Sequence, residues 1–303
     1  MERKVSISIG KLQNAYGDLR AIEIAAEIGA DAVDFDTCAG RWDYTREDSV
    51  YAKSDDEIIS YFAAIKKRAD ELGIEIGQTH GRISGYTDNE EKNAIVVENA
   101  RRDFLAAKTL GAPVTIIHSV STCGMGPDTD PALMRKLNFE MFTRMLVHAK
   151  TYGVKIASET FGDAPNYGCV DFFGDIREFI MSYNKVCAVG DNADYFALCA
   201  DTGHSNKATR FGNPSPADTI RMLGSNVTAL HLNDNDTLTD QHKIPMTGCI
   251  DWNDVFNALD EIGYSGNYNM ELNLAHFGKG FLVETAAFAI KVMRNFLKNR
   301  YGE

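Results

Sequence analysis

The chain has 303 residues, 44% of them hydrophobic and 24% charged, with a formal net charge of −12. That composition belongs to a globular protein with a large core and excludes disordered and collagen-like chains. The negative charge repels phosphate backbones and anionic lipid heads, so the expected partner is a neutral small molecule, with no nucleic acid and no membrane.

In chain order, short runs rich in β-formers occupy residues 5–9, 32–35, 74–77, 114–117, 155–158, 196–199, 227–230 and 268–270. Amphipathic stretches of helical period lie between them, among them residues 55–72, 90–110, 131–152 and 252–262, and residues 282–297 close the chain. Ile28-Gly29, Leu72-Gly73, Leu110-Gly111, Tyr152-Gly153, Leu223-Gly224 and Ile262-Gly263 each precede a strand, and glycine there suits a left-handed helix C-cap. Eight βα units with tight αβ turns predict an α/β protein, a (β/α)₈ barrel, as a single domain over residues 1–303. A doubly wound open sheet is the rival. It is disfavoured because no GxGxxG turn follows a strand and no extra edge strand is evident. The longer loops, 37–54 and 80–89, follow strands, where a barrel keeps its working segments.

No apolar run approaches the ~20 residues needed to span a bilayer. The six cysteines include no CxxC pair, so neither a disulfide framework nor a structural zinc site is expected, and the protein reads as cytoplasmic.

The working face of such a barrel lies at the C-terminal strand ends. Strand three runs into His80, strand four into His118, strand five into Glu159, strand six into Asp201 and His204, strand seven into His231 and strand eight into Glu271. Six of the seven histidines (His80, His118, His204, His231, His242 and His276) fall there or in the loops beyond, and only His148 lies on a helix. A lone histidine at a strand end is usually a satisfied polar residue; six beside several carboxylates point to metal chemistry. Glu159, Asp201, His231 and Glu271 end four consecutive strands, so they are expected to converge as metal ligands. Three anionic oxygens and one nitrogen suit one divalent metal ion: Mn²⁺, Mg²⁺ or Co²⁺, with Zn²⁺ as a further candidate. A buried salt-bridge ring is the alternative, but few basic residues end strands, and packed carboxylates without a cation would be pushed toward protonation.

The second half of the chain contains Ser158-Glu159-Thr160, Asp201-Thr202-Gly203-His204, His231-Leu232-Asn233-Asp234-Asn235-Asp236, Gly248-Cys249-Ile250-Asp251-Trp252 and Met270-Glu271-Leu272, in that order. These motifs resemble those of the xylose isomerase-like TIM barrel superfamily, the sugar phosphate isomerase/epimerase group. The resemblance implies the same four metal ligands and a contact from His204 to a substrate hydroxyl. The ketose 3-epimerase branch carries a further Glu where this chain has Pro165 and an Arg where it has Thr237, so those two contacts are missing here. Asp240-Gln241-His242 resembles the Asp-x-His of the endonuclease IV branch, which uses it, with histidines ending strands three and four, to hold additional zinc ions; His80 and His118 occupy those places. The chain's acidity and its lack of loops dense in Lys, Arg and aromatics weigh against an abasic-site nuclease.

The expected function is therefore a metal-dependent sugar isomerase or epimerase working through an enediolate, with Glu159 and Glu271 moving the proton. His80, His118 and His242 are expected to line the substrate pocket. Trp42 could stack on the apolar face of the sugar or pack beneath its loop, and Trp252 reads as a helix anchor. An inosose-type dehydratase would use the same enolate. A barrel that binds metal and sugar without turnover is disfavoured by the presence of both Glu159 and Glu271. With no phosphate loop evident after strands seven or eight, an unphosphorylated sugar is expected, and a homo-oligomer is compatible with the sequence.

Overall fold

The computed structural model describes residues 3–38, 40–83 and 85–302; Met1, Glu2, Ala39, Ser84 and Glu303 of the expected 1–303 span lie outside the described residues. Each β-rich run becomes one stave of a parallel ring: β1 (Val5–Ser8), β2 (Ala32–Asp36), β3 (Glu75–His80), β4 (Val114–Ile117), β5 (Lys155–Glu159), β6 (Phe196–Asp201), β7 (Val227–His231) and β8 (Tyr268–Met270). Hydrogen-bonded neighbours run β8-β1-β2-β3-β4-β5-β6-β7. A parallel bridge between Leu232 and Met270 brings the two ends together, with Leu232 N donating to Asn269 O at 2.8 Å. This is the expected (β/α)₈ barrel.

Helices Asp55–Leu72, Glu90–Leu110 and Pro131–Tyr152 match the predicted stretches residue for residue, and Leu282–Tyr301 closes the chain. Their starts are chemically marked. Ser54 and Glu57 form a reciprocal capping box, and Asp130 caps a helix that has Pro131 in its first turn. A small hairpin, Asp163–Ala164 against Cys169–Val170, sits in the loop after β5; its strands are two residues each, too short for an alternating pattern to be visible. Among the described residues no helix is long and apolar enough to cross a membrane.

Strand period explains how the barrel aims its functional residues. Ile116, Ala157, Cys199 and Ala229 are buried together with Val114 in a cluster separate from the main core. Each stands two residues before a polar group at a strand end: His118, Glu159, Asp201 and His231. Successive side chains of a strand alternate faces, so residues two apart share one. The inward apolar layer therefore carries an inward polar layer above it. Three of those four ends extend further than the sequence pattern indicated: β5, β6 and β7 include Glu159, Asp201 and His231 as their last residues.

The glycine stops hold with one exception. Gly73, Gly111 and Gly153 are left-handed C-caps, whereas Gly224, expected to do the same, has φ 61° and ψ −147° and leads directly into a 3₁₀ turn over Gly224–Asn226. At Gly153, φ is 68° and nothing lies within 4 Å of where a Cβ would stand, so only backbone strain opposes a side chain. Gly153→Ala should therefore lower unfolding free energy by about 1–2 kcal/mol in urea titration, with the slope of the transition unchanged.

Candidate metal centre

The Asp-Thr-Gly-His segment has a local logic. Asp201 ends β6 and caps the helix Thr202–Ala208, its Oδ1 accepting from His204 N at 2.6 Å. Its other oxygen, Oδ2, accepts from Asn233 Nδ2 at 2.8 Å. Thr202 Oγ1 donates to Asn233 O at 2.7 Å and accepts from Asn233 N at 3.0 Å, which locks this segment to the one following β7. Gly203 is required at the crossing, since a Cβ there would stand 1.9 Å from Asn233 Oδ1. The loop after β7 is pinned in turn by buried Asp234, which accepts from Ile250 N at 3.2 Å and from Trp252 Nε1 at 2.7 Å. Trp252 is thus the helix anchor its position suggested.

With the strand ends held this way, Glu159, Asp201, His231 and Glu271 each offer a ligand atom, and all four atoms lie within 4.8 Å of one another. His231 Nδ1 is 3.0 Å from Glu159 Oε1 and 3.4 Å from Glu271 Oε2. His118 Nε2 comes within 3.0 Å of Glu159 Oε2 and His204 Nδ1 within 3.3 Å of Oε1. Both Glu159 oxygens and His231 Nδ1 are buried and lack a well-aligned hydrogen bond, their nearest neighbours being imidazole nitrogens and carboxylate oxygens of the same cluster. Buried polar atoms are nearly always paired, so this constellation fits a divalent cation.

Three further groups accompany the four. His80, His231 and Glu271 form one that overlaps the quartet, and two flank it, His80 with His118 and Glu159, and His204 with Asp240 and His242, each with ligand atoms within 4.8 Å. Glu159 therefore belongs to two groups at once. The His80 ring stacks on His231 with centroids 5.3 Å apart, and His204 Nδ1 lies 3.0 Å from Thr160 O. His242 Nδ1 lies 3.1 Å from Glu271 O and its Nε2 3.2 Å from Asp240 Oδ2.

Burial opposes ionisation of Glu159, but the charges of His231 and His118 outweigh it and hold the carboxyl well below its usual range. Burial likewise opposes ionisation of Glu271, and His231 and His242 override it. Asp201 moves the other way, raised by burial. Burial disfavours a charged His242, yet Glu271 and Asp240 raise it to about 9. His204 and His231 are raised well above 6.5, again against burial, His204 by Asp201 and Asp240 and His231 by the Cys199 sulfur and by Glu159 and Glu271.

Glu271 and His80 line a cavity of about 170 Å³ together with Ser8, Lys11, Asn14, Asp34 and Asp36. Glu159 does not reach it. Its side chain is 1% exposed against 23% for Glu271. Trp42 corrects the stacking expectation: it is 1% exposed and packs among Phe35, Tyr51 and Phe62, with ring centroids 5.4–6.4 Å away, so neither face is open to a sugar. Asp34 was missed by sequence reading. It lies inside β2 and its Oδ2 is 3.1 Å from His231 Nε2. The signal was an acidic residue between Val33 and Phe35, inside a strand that ends on a second one, Asp36.

Residues 22–296 match the family model described as xylose isomerase-like TIM barrel. The uncharacterized protein MJ1311 of Methanocaldococcus jannaschii is 25% identical over 217 residues, 70% of this chain and 68% of that protein. The uncharacterized protein y4fM of Sinorhizobium fredii is 22% identical over 197 residues, 64% of this chain and 57% of that one. Among solved structures, a D-tagatose 3-epimerase-like protein superposes with TM-score 0.72 at 20% identity, covering 97% of both chains. An IolI protein with a bound zinc atom gives 0.71 at 18% identity, covering 98% and 97%. D-psicose 3-epimerase of Clostridium cellulolyticum H10, solved with D-tagatose, gives 0.72 at 16% identity, covering 96% and 98%. At these identities the likeness to solved structures establishes the barrel fold.

Two outcomes follow from the geometry. Trp42→Ala should cost about 3–5 kcal/mol of stability, measured by urea unfolding, while leaving Mn²⁺ affinity within about twofold. The raised pKa of His242 stabilises the metal-free protein fully below about pH 6.5, and this contribution disappears as pH climbs through about 9. Unfolding free energy of EDTA-treated protein should accordingly drop by up to about 3 kcal/mol between those pH values, and His242→Gln should flatten part of that slope.

Proposed function

The chain belongs to the xylose isomerase-like TIM barrel family, and from that premise we propose that it is a divalent-metal-dependent isomerase or epimerase of a small sugar. The supporting observation is the convergence of Glu159, Asp201, His231 and Glu271, with ligand atoms within 4.8 Å of one another, beside a small cavity that Glu271 lines. These four residues would hold the ion. Once bound, a divalent ion supplies Lewis-acid polarisation of neighbouring carbonyl and hydroxyl oxygens, which acidifies the intervening C–H. The zinc atom in the IolI neighbour and the D-tagatose in the D-psicose 3-epimerase neighbour support this pairing of cation and ketose.

The two glutamates are unequally placed to move the proton. Glu271 is the member of the pair that lines the cavity, so its carboxylate is the base we assign to the C–H. Glu159 comes from three staves away and is enclosed by His118, His204 and His231. Return of the proton from the Glu159 side inverts the carbon, whereas return by Glu271 to the adjacent carbon exchanges aldose and ketose. His204 and His242 hold Asp240 between them at 3.6 and 3.2 Å, forming one wall of the mouth.

A second reading rests on the two flanking groups, which give this mouth the ligand count of the endonuclease IV branch. Against it, Arg82 is committed to Asp103, and both Lys207 and Arg210 are committed to Asp163, so these cations are not free for a phosphate backbone.

Aldoses and ketoses incubated in D₂O with the Mn²⁺-loaded protein should gain deuterium next to the carbonyl. EDTA should stop the exchange, and Glu271→Gln should slow it by about 10²–10⁴-fold. No exchange into any sugar of a broad panel, by protein shown to hold Mn²⁺, would overturn the proposal. Nicking of abasic plasmid by the zinc-loaded protein, with three ions bound per chain, would put the second reading in its place.

A further inference from the structure

The layer beneath the four ligands is divided. On the β4–β7 side it is apolar, made of Ile116, Ala157, Cys199 and Ala229. On the other side it is polar, made of Ser8, Asp34, Gln78 and Asn269, and Asp34 is its centre. Its Oδ2 accepts from Ser8 Oγ at 2.9 Å, Gln78 Nε2 at 3.2 Å and Asn269 Nδ2 at 3.4 Å, and lies 3.1 Å from His231 Nε2. Asp34 is 1% exposed, and among the described residues no Lys or Arg stands within 4 Å of it. An ionised carboxylate this deep is costly to desolvate and three neutral donors do not balance its charge; its contact with His231 is what holds Asp34 below its usual range. An amide of the same shape would serve a merely structural layer at lower cost.

What an amide lacks is the charge: its oxygen could accept the same proton, but it would hold the imidazole less firmly. When His231 donates Nε2–H to a carboxylate, Nδ1 must carry the lone pair, and Nδ1 is the atom that faces Glu159 and Glu271 without a hydrogen-bond partner. The negative charge also makes that lone pair more basic. We propose that Asp34 is a positioning residue of the metal centre, holding His231 in the tautomer and orientation that present Nδ1 to the cation. The assignment rests on the metal reading above. It gives β2 a part in a centre whose ligands all come from β5 to β8. Asp34 also borders the cavity beside Glu271, with its Oδ1 buried and unpartnered, so one carboxylate touches both the ligand histidine and the wall of the substrate space.

The test measures Mn²⁺ binding by titration calorimetry in wild type, Asp34→Asn and Ser8→Ala, with folding checked by circular dichroism and thermal unfolding. Asp34→Asn should raise the Mn²⁺ dissociation constant by about 10–100-fold while remaining folded. Ser8→Ala, which removes a different hydrogen bond to the same oxygen, should change it by less than about threefold. Wild-type affinity in folded Asp34→Asn, or equal losses in both variants, would overturn the role. Long-range ¹H–¹⁵N spectra of the zinc-loaded wild type provide a readout independent of any variant's folding. They should place the His231 proton on Nε2, and a proton on Nδ1 would overturn the role. A wild-type protein that binds no Mn²⁺ or Zn²⁺ would instead overturn the metal reading itself.

Discussion

Like charges crowded into a largely buried barrel mouth are the constraint on which this structure turns. Glu159, Asp201 and Glu271 present oxygens within 4.8 Å of one another, and two of the three are wholly buried. In water such a group would disperse, and in a low-dielectric mouth it persists only where positive charge is shared among its members. The histidines can supply that charge as imidazoliums, and a divalent ion can supply it better, because one ion reaches every carboxylate while His231 serves it as a neutral ligand. Binding of such an ion would therefore release protons from these histidines.

The scaffold around this point is rigid where it must be. Asp201 is fixed by its own helix and by Asn233, Asn233 is fixed by Thr202, and the long segment after β7 is pinned through Asp234 to Ile250 and Trp252. The Gly203 and Gly248 positions exist because these side chains approach the backbone too closely for a Cβ; at Gly248 one would stand 2.2 Å from Asp234 Oδ1. What reads in the sequence as a set of short motifs is one interlocked network joining the ends of β6 and β7. Its consequence is a precise position for the ligand atoms, which Lewis-acid chemistry needs more than it needs any single contact.

Legibility differed by the range over which the information acts. The eight staves were readable because β-formers, helix period and glycine stops are local signals, and helices such as Asp55–Leu72 announce both ends with their own caps. The meeting of Glu159, Asp201, His231 and Glu271 was readable because a closed ring brings consecutive strand ends together. The hairpin at Asp163–Ala164 was invisible because two-residue strands carry no pattern. Trp42 was ambiguous because its loop says nothing about what lies beneath, and the aromatic cage of Phe35, Tyr51 and Phe62 is assembled from three separate segments.

By itself, the amino-acid sequence determined the barrel and the meeting of Glu159, Asp201, His231 and Glu271 at its C-terminal strand ends, because each follows from periodicity and from position at a strand end. Tertiary structure alone decided that Glu271 borders the cavity while Glu159 is enclosed, that Glu159 is shared between two groups of ligands, and that Asp34 reaches His231 from 197 residues away. The physical reason is that a contact across the ring depends on strand register and barrel closure, which no local window of residues contains.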